Sequence, residues 1–511
     1  MLHGIDDAEN WHQMLRCDAI GLDVEYPSAT GRRSRRIYLD SAATTLRLKI
    51  VQRVLDIYQP HYANVHSNIH FAAQISTREY GWAHDMVLEF AGADPDIWMC
   101  FFVGNGTTGG MNRVARALRA QRPERDVVVT SAMEHHSNDL PHRKHFREVV
   151  HVPMEVTPIS LGRVDLVKMG AALLAHEGKV NYVAITGVSN VTGISNPIHE
   201  IAALAHRHGA LVVVDAAQMA AHMPLKVSGH SEDTRDLDVV VFSGHKLYAP
   251  GAPGVVIARK ALFADMEPDE VGGGMVDTVF LDRYTVSERF PEREEAGTPN
   301  IPGAIGLAAA LYALHKVGMD KIAADEKRLF EYALLKLAGV PGIVIYGETR
   351  PSLVQRAGVI SFNLSDRDHA FCAAVLNDYF NIAVRNECFC AHPYVRDMVS
   401  MSLECVADSM SNDELERLAE MHRGMVRASF GVYNTPADVD RLVAALKDIS
   451  IRGDQLLALY ERLPNGNYRH RQWAFDTTKE FSVRSVVDSL LGGDPADNQV
   501  EADSAGLVFP R

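Results

Sequence analysis

The chain has 511 residues, 47% of them hydrophobic and 23% charged, with a formal net charge of −14. That length exceeds one simple core, so two or more folded units are expected, and the acidic balance argues against non-specific nucleic-acid binding. Six cysteines do not make a disulfide scaffold, and the most apolar long stretch, 301–314, is too short for a membrane span and carries Pro302 and Gly303.

Residues 1–36 are expected to form an N-terminal arm. Its start has neither a basic region nor a hydrophobic core, so no secretory signal is expected, and a cytoplasmic, reduced setting is the default. The run Arg32-Arg33-Ser34-Arg35-Arg36 reads as a solvated stretch before the first strand. From 37 to 305 the pattern alternates. Short β-branched runs at 127–129, 182–185, 211–214 and 239–241 are separated by amphipathic helical stretches such as 198–205. Strands that are apolar throughout, with helices between them, predict an α/β fold with a mostly parallel sheet covered on both faces. Residues 306–452 begin helix-rich, continue through shorter strands such as 359–362 and end in a helix over 437–448, which predicts a smaller α/β domain. Residues 453–511 form a polar and aromatic C-terminal extension that closes on Gly492-Gly493-Asp494-Pro495, a loop signal.

Five segments carry chemistry. In Gly104-Asn105-Gly106-Thr107-Thr108-Gly109-Gly110, glycines let the backbone approach an anion and a helix N-terminus follows, with the hydroxyls of Thr107 and Thr108 as further donors. Alone, the segment also reads as a plain turn. In Ala132-Met133-Glu134-His135-His136-Ser137-Asn138, His135 can stack on a planar ring or move a proton. With His142 and His145 nearby a metal must be considered, but the spacing matches no common zinc pattern and no metal is expected. Asn190 lies just past the strand ending at Ile185-Thr186, where ligand loops of open α/β sheets sit, or is simply a turn asparagine. Asp215, Gln218 and Lys246 follow two apolar runs. A lysine for a Schiff base and a carboxylate to hold a pyridinium proton are what pyridoxal 5′-phosphate asks of a protein. In Arg385-Asn386-Glu387-Cys388-Phe389-Cys390, two of the six cysteines lie two apart; a thiolate is a strong nucleophile, and the bland alternative is two small residues lining a loop.

Together these segments resemble the class V, fold-type I pyridoxal-phosphate enzymes, and most closely the Suf-type cysteine desulfurases and selenocysteine lyases. Tyr38-Leu39-Asp40-Ser41-Ala42-Ala43-Thr44, Glu134-His135-His136-Ser137-Asn138, Val188-Ser189-Asn190-Val191-Thr192-Gly193, Asp215-Ala216-Ala217-Gln218, Ser243-Gly244-His245-Lys246-Leu247-Tyr248 and Glu295-Ala296-Gly297-Thr298-Pro299-Asn300 match that family in type and order. The resemblance implies a mostly parallel sheet of seven strands. It implies that Lys246 holds the cofactor, Asp215 binds its ring nitrogen, Gln218 and Asn190 lie near its phenolate oxygen, and His135 stacks on the ring. Thr107, Thr108, Ser243 and His245 would hold the phosphate. Thr298 would reach the phosphate of a neighbouring subunit, so a homodimer is expected. Arg427, with Arg385 as a second candidate, would clamp the carboxylate of a small amino-acid substrate, a task suited to a bidentate fork. Cys390 would accept sulfur from L-cysteine, leaving a persulfide and releasing alanine, and a sulfur-acceptor protein is a possible partner. Other reactions of the same fold (C–S lyase, epimerase or aminotransferase on a larger amino acid) would leave Cys390 dispensable, and a non-catalytic scaffold would take up no cofactor. The chain departs from the family at Gly109, Gly187 and His66-Ser67-Asn68, in the additional Cys388, in a longer 391–426 segment and in the extension past about 450.

Overall fold

The computed structural model describes residues 14–157, 160–407, 411, 421 and 423–492. Seven strands form its large sheet: β1 (Trp98–Val103), β2 (Val127–Ser131), β3 (Glu148–Val152), β4 (Val180–Thr186), β5 (Leu211–Asp215), β6 (Val239–Ser243) and β7 (Gly254–Arg259). Their spatial order is β1-β7-β6-β5-β4-β2-β3. All interior pairings are parallel except those of β7, which runs against both neighbours. The β-branched runs behave as their composition requires. Every residue of β2, β4 and β6 is buried, and alternate residues feed different cores: Val127 and Val129 face one side, Val128 the other.

A second sheet holds β8 (Ile343–Ile345), β9 (Val359–Leu364), β10 (Arg385–Glu387) and β11 (Met425–Ser429), in the order β8-β9-β11-β10 and antiparallel throughout. Ile360, Phe362, Leu364, Val426 and Ala428 point one way, into a core shared with the helices flanking the sheet. The alternating residues therefore point the other way, towards the large unit: Ser361 Oγ donates to the Val191 carbonyl at 2.6 Å, and Arg427 reaches across as well.

Among the helices, α1 (Gly106–Gln121) follows β1, and α2 (Ile301–Val317) and α3 (Met319–Leu337) meet at Gly318, whose φ is +91°. The boundary expected at 305/306 falls inside α2. Its apolar residues from Ile301 to Val317 belong to the large core, whereas Leu329, Phe330 and Ala333 of α3 belong to the small one. Conversely, Ile37 and Leu39 pack into the small core, and Ile37–Tyr38 pairs in parallel with Ile382–Ala383. The long 391–426 segment starts as α4 (His392–Ala407), whose Tyr394, Val395 and Met398 pack on the large core; residues 408–410, 412–420 and 422 lie outside the described residues. The expected extension begins within α5 (Pro436–Leu457) and continues as a hairpin, Tyr460–Arg462 with Tyr468–His470. Residues 1–13 of the arm and 493–511 of the extension are likewise outside the described residues. No single described helix is long and apolar enough to cross a membrane.

Candidate active site

The carboxyl ends of β4, β5 and β6 open onto a cavity of about 340 Å3 whose wall includes Thr186, Asp215, Ser243 and Lys246. This is the place where parallel α/β sheets leave room for ligands. Asp215 closes β5 and is 3% exposed. Among the described residues its carboxylate accepts one hydrogen bond, from Ala217 N at 2.9 Å. Burial raises its pKa, with that hydrogen bond and the charge of Lys246 opposing. A buried carboxylate so sparsely paired calls for a cationic N–H donor. Lys246 ends a single turn after β6. Desolvation lowers it to about 8 while Asp215 pulls the other way, so a usable fraction of the amine is neutral near pH 7.

The opposite end of the cavity is built for an anion. Asn105 and Gly106 carry φ values of +57° and +60°, which turn the chain from β1 into α1. A Cβ at Gly106 would lie 2.6 Å from Ser243 Oγ, so only glycine allows this approach. Thr107 N donates to Ser243 Oγ at 2.8 Å, and Thr107 Oγ1 lies 2.8 Å from the same atom. Thr108 Oγ1 is 2.7 Å from Ser137 Oγ, and His245 Nδ1 is 3.0 Å from Thr44 Oγ1. The 16-residue α1 points its N-terminus here with no acidic residue in its first turn, which leaves free N–H groups and a positive dipole end. A sparsely paired acid at one end, a lysine between and an anion cradle at the other fit pyridoxal phosphate. His135 lines the wall between them, its Nδ1 accepting from Ser137 N at 3.1 Å. Burial, and then Lys246, lower it to about 4, so its ring is neutral at pH 7.

On the solvent side, Arg385, Arg427, Phe389 and Cys390 line the same cavity. Arg427 is 2% exposed. It donates to the Asn190 carbonyl at 3.0 Å and to Asp40 Oδ1 at 3.3 Å, and its guanidinium sits 4.7 Å from the centre of the Phe389 ring. Desolvation lowers it to about 10, which leaves it charged. Arg385, half-exposed, bonds Asp40 Oδ2 at 2.9 Å. Asp40 thus spaces two guanidinium groups at the mouth of the cavity. Cys388 to Ala391 form a tight turn: Ala391 N donates to Cys388 O at 2.8 Å, and Phe389 and Cys390 have φ of +50° and +56°. Positive φ at both central residues is the geometry of a type I′ turn, normally the province of glycine and asparagine. Two bonds from the large unit pin it, Asn190 Nδ2 to Phe389 O at 2.8 Å and His136 N to Cys390 O at 2.7 Å.

All the site residues read from the sequence line this one cavity except Thr298. Thr298 lies in an adjoining cavity with Gly104, Asn105 and His245, and accepts a hydrogen bond from Asn64 Nδ2 at 3.2 Å. Two amides expected beside a phenolate are engaged elsewhere: Asn190 on the cysteine turn, and Gln218 Nε2 on the Ala42 carbonyl at 2.6 Å. His142 is a core residue, fully buried between Asn138 Oδ1 at 3.2 Å and the Tyr182 hydroxyl at 2.8 Å. His145, partly buried at the end of a short helix, does not line the cavity. Asp40, which pairs with both guanidinium groups, and Phe389, under Arg427, are functional positions beyond those expected from the sequence. An acidic residue directly after a short strand was the available signal for the first.

Comparison with known proteins supports the geometry. The aminotransferase class-V family model matches residues 37–442. A probable cysteine desulfurase of Halalkalibacterium halodurans is 36% identical over 416 residues, covering 80% of this chain and 92% of that one. A cysteine desulfurase of Escherichia coli is 36% identical over 414 residues, covering 81% and 93%. Among solved structures, an apo cysteine desulfurase from Thermococcus onnurineus aligns with a TM-score of 0.69 at 31% identity, over 81% of this chain and 94% of that one. The cysteine desulfurase CsdA from E. coli aligns at 0.65 and 30% identity, over 83% and 95%. The sheet order, the site at its carboxyl edge and these matches agree: the fold is the fold-type I architecture, and the chain belongs to the aminotransferase class-V family.

Proposed function

We propose that this protein is a pyridoxal-phosphate-dependent cysteine desulfurase, which takes the sulfur of L-cysteine onto Cys390 and releases alanine. The observation that carries the reading is the meeting of Lys246, Asp215, Arg427 and Cys390 around one cavity. Pyridoxal phosphate supplies a carbonyl for amino groups and a ring that accepts the electron pair released at a substrate Cα. Asp215 holds a proton on the ring nitrogen. Thr107, Thr108, Ser243 and His245 hold the phosphate with the N-terminus of α1. The neutral ring of His135 packs on the cofactor and keeps water from that face. Arg427 binds the substrate carboxylate, and Arg385 joins it at the mouth. Lys246, once free, carries a proton between the substrate's Cα and neighbouring positions. The Cys390 thiolate attacks the substrate sulfur; the C–S bond breaks, an S–S bond forms, and the three-carbon fragment leaves as alanine after protonation.

Thr298, beside the cradle but outside it, supports a homodimer in which the partner completes the phosphate site. A reduced, cytoplasmic setting would keep the five described cysteines, all free, as thiols. The test is to load the purified protein with pyridoxal phosphate, add L-cysteine and analyse products with mass spectrometry of the Cys390 peptide. Alanine with one added sulfur on Cys390 supports the reading. Pyruvate with ammonia, or no turnover, refutes it in favour of another reaction of the fold.

A further inference from the structure

The two cysteines of the turn open onto different spaces. Cys390 lines the cavity that holds Lys246. Cys388 lines a second cavity of about 670 Å3, which shares no lining residue with the first. Its walls come from the small unit, from His392 at the start of α4 and, through Arg462 and residues Leu463 to Asn467, from the C-terminal hairpin. Its size is that of an ordinary small-molecule site. Cys388 is partly exposed, and its Sγ is oriented by the carbonyl of Arg423 at 3.5 Å. Gly424 is what lets that strand come so close: a Cβ there would lie 2.8 Å from Glu387 Cα. Two virtual bonds of about 3.8 Å cap the separation of the Cys388 and Cys390 Cα atoms at roughly 7.6 Å. The turn therefore carries two cysteines close together in the chain, one lining each cavity.

We propose that Cys388 is a second sulfur carrier, which takes the terminal sulfur from Cys390 and presents it in the second cavity to an incoming thiol. The inference rests on the desulfurase reading above. Cys388 gives its proton to solvent and attacks the terminal sulfur of the Cys390 persulfide. The S–S bond to Cys390 breaks, one to Cys388 forms, and Cys390 leaves as a thiolate that takes up a proton. One S–S bond is made and one broken, so the step consumes neither oxidant nor reductant. A second exchange of the same kind passes the sulfur to the acceptor. Cys390 is thereby returned to the substrate cavity while the acceptor never enters it, and the hairpin of the extension acquires a role as a wall of the delivery site.

The test uses the cofactor-loaded full chain and its C388S, C388A and C390S variants. Each is given L-cysteine, quenched with iodoacetamide and sequenced by mass spectrometry across residues 386–396. Alanine is followed through the first turnover and at steady state, with reduced glutathione as the probe thiol. In the unmodified protein the added sulfur is expected on both cysteines. In C388S and C388A it is expected on Cys390 alone, with one equivalent of alanine per chain formed at the normal rate and steady-state turnover slowed about tenfold or more. In C390S it is expected on neither. Acceleration by glutathione identifies a small thiol as a competent acceptor. Sulfur that persists on Cys388 despite glutathione assigns the acceptor to a protein cysteine, and both results uphold the relay. Sulfur found only on Cys390 in the unmodified protein, or unchanged steady-state turnover in both Cys388 variants, overturns it and leaves the desulfurase reading intact. A Cys388–Cys390 disulfide with released sulfide, or sulfur on Cys388 in C390S, also overturns it. Failure of alanine formation in the unmodified protein overturns both.

Discussion

Replacing Asn190 with alanine separates two roles for one side chain. Phe389 and Cys390 hold φ of +50° and +56°, at a cost of roughly 1–2 kcal/mol for each non-glycine residue. Against that strain stand the turn's own bond, the His136 N bond to Cys390 O and the 2.8 Å bond from Asn190 Nδ2 to Phe389 O. Phe389 is 7% exposed, so the substitution strands its buried carbonyl, a loss of about 1–3 kcal/mol. An element already strained by a similar amount then spends less time formed, by about 5- to 150-fold. Alanine formation from L-cysteine should fall within that range, while the amount of pyridoxal phosphate retained after gel filtration stays unchanged. The backbone carbonyl of Asn190, which receives Arg427, survives the substitution, so the affinity for substrate should hold. If Asn190→Ala instead loses cofactor and keeps its rate per bound cofactor, the amide serves the ring oxygen and the argument from the turn is wrong.

Lys246→Ala should abolish borohydride-stable attachment of pyridoxal phosphate and all turnover; attachment at another lysine would refute the assignment. Because Lys246 is lowered to about 8 and only the neutral amine attacks, capture of pyridoxal phosphate by apo-protein should rise roughly tenfold per pH unit below that value and level off above it. Asp215→Asn removes a charge that raises the lysine, so the same profile should move to lower pH; a shift upward would contradict the electrostatics. Arg427→Lys should raise KM for L-cysteine about tenfold or more with little change in cofactor retention, since a lysine cannot make the forked contact; an unchanged KM would move the carboxylate site to Arg385. Asp40→Ala leaves Arg427 buried without its carboxylate, and should lower stability by about 3 kcal/mol, read as a fall in Tm with pyridoxal phosphate bound.

The large sheet was legible because its signal is local. The runs at 127–129, 182–185, 211–214 and 239–241 are buried on both faces and show it in composition alone. Asp215 closes one apolar run and Lys246 follows another by a single turn, so local composition marks both positions. The strand pairing of the small sheet was not, because β9 and β11 are separated by a helix and a long segment before they pair. The contact of Asp40 with Arg427 joins residues 387 positions apart, and nothing near either residue announces the other. The cysteine turn carries no glycine or asparagine at its positive-φ positions, so the usual marker of a type I′ turn is missing and its geometry depends on bonds from distant loops. The boundary expected at 305/306 falls inside α2, which keeps its helical pattern through that point, and the change of core comes within α3, between Ile322 and Leu329.

The small core is assembled from both ends of the chain. Ile37 and Leu39 enter it from the start of the family region, and Tyr460, 3% exposed, enters it from the C-terminal hairpin, its hydroxyl 2.9 Å from Asp378 and its ring against Phe371. The strands of the large sheet, by contrast, all lie between residues 98 and 259. During synthesis, then, the large sheet can close on the ribosome well before the small core has its full set of side chains, since domains form in the order in which they emerge. Until residue 460 has left the exit tunnel, the face that awaits it stays open. A nascent chain arrested before the hairpin should be recognised by chaperones at the small unit while its large unit already resists protease.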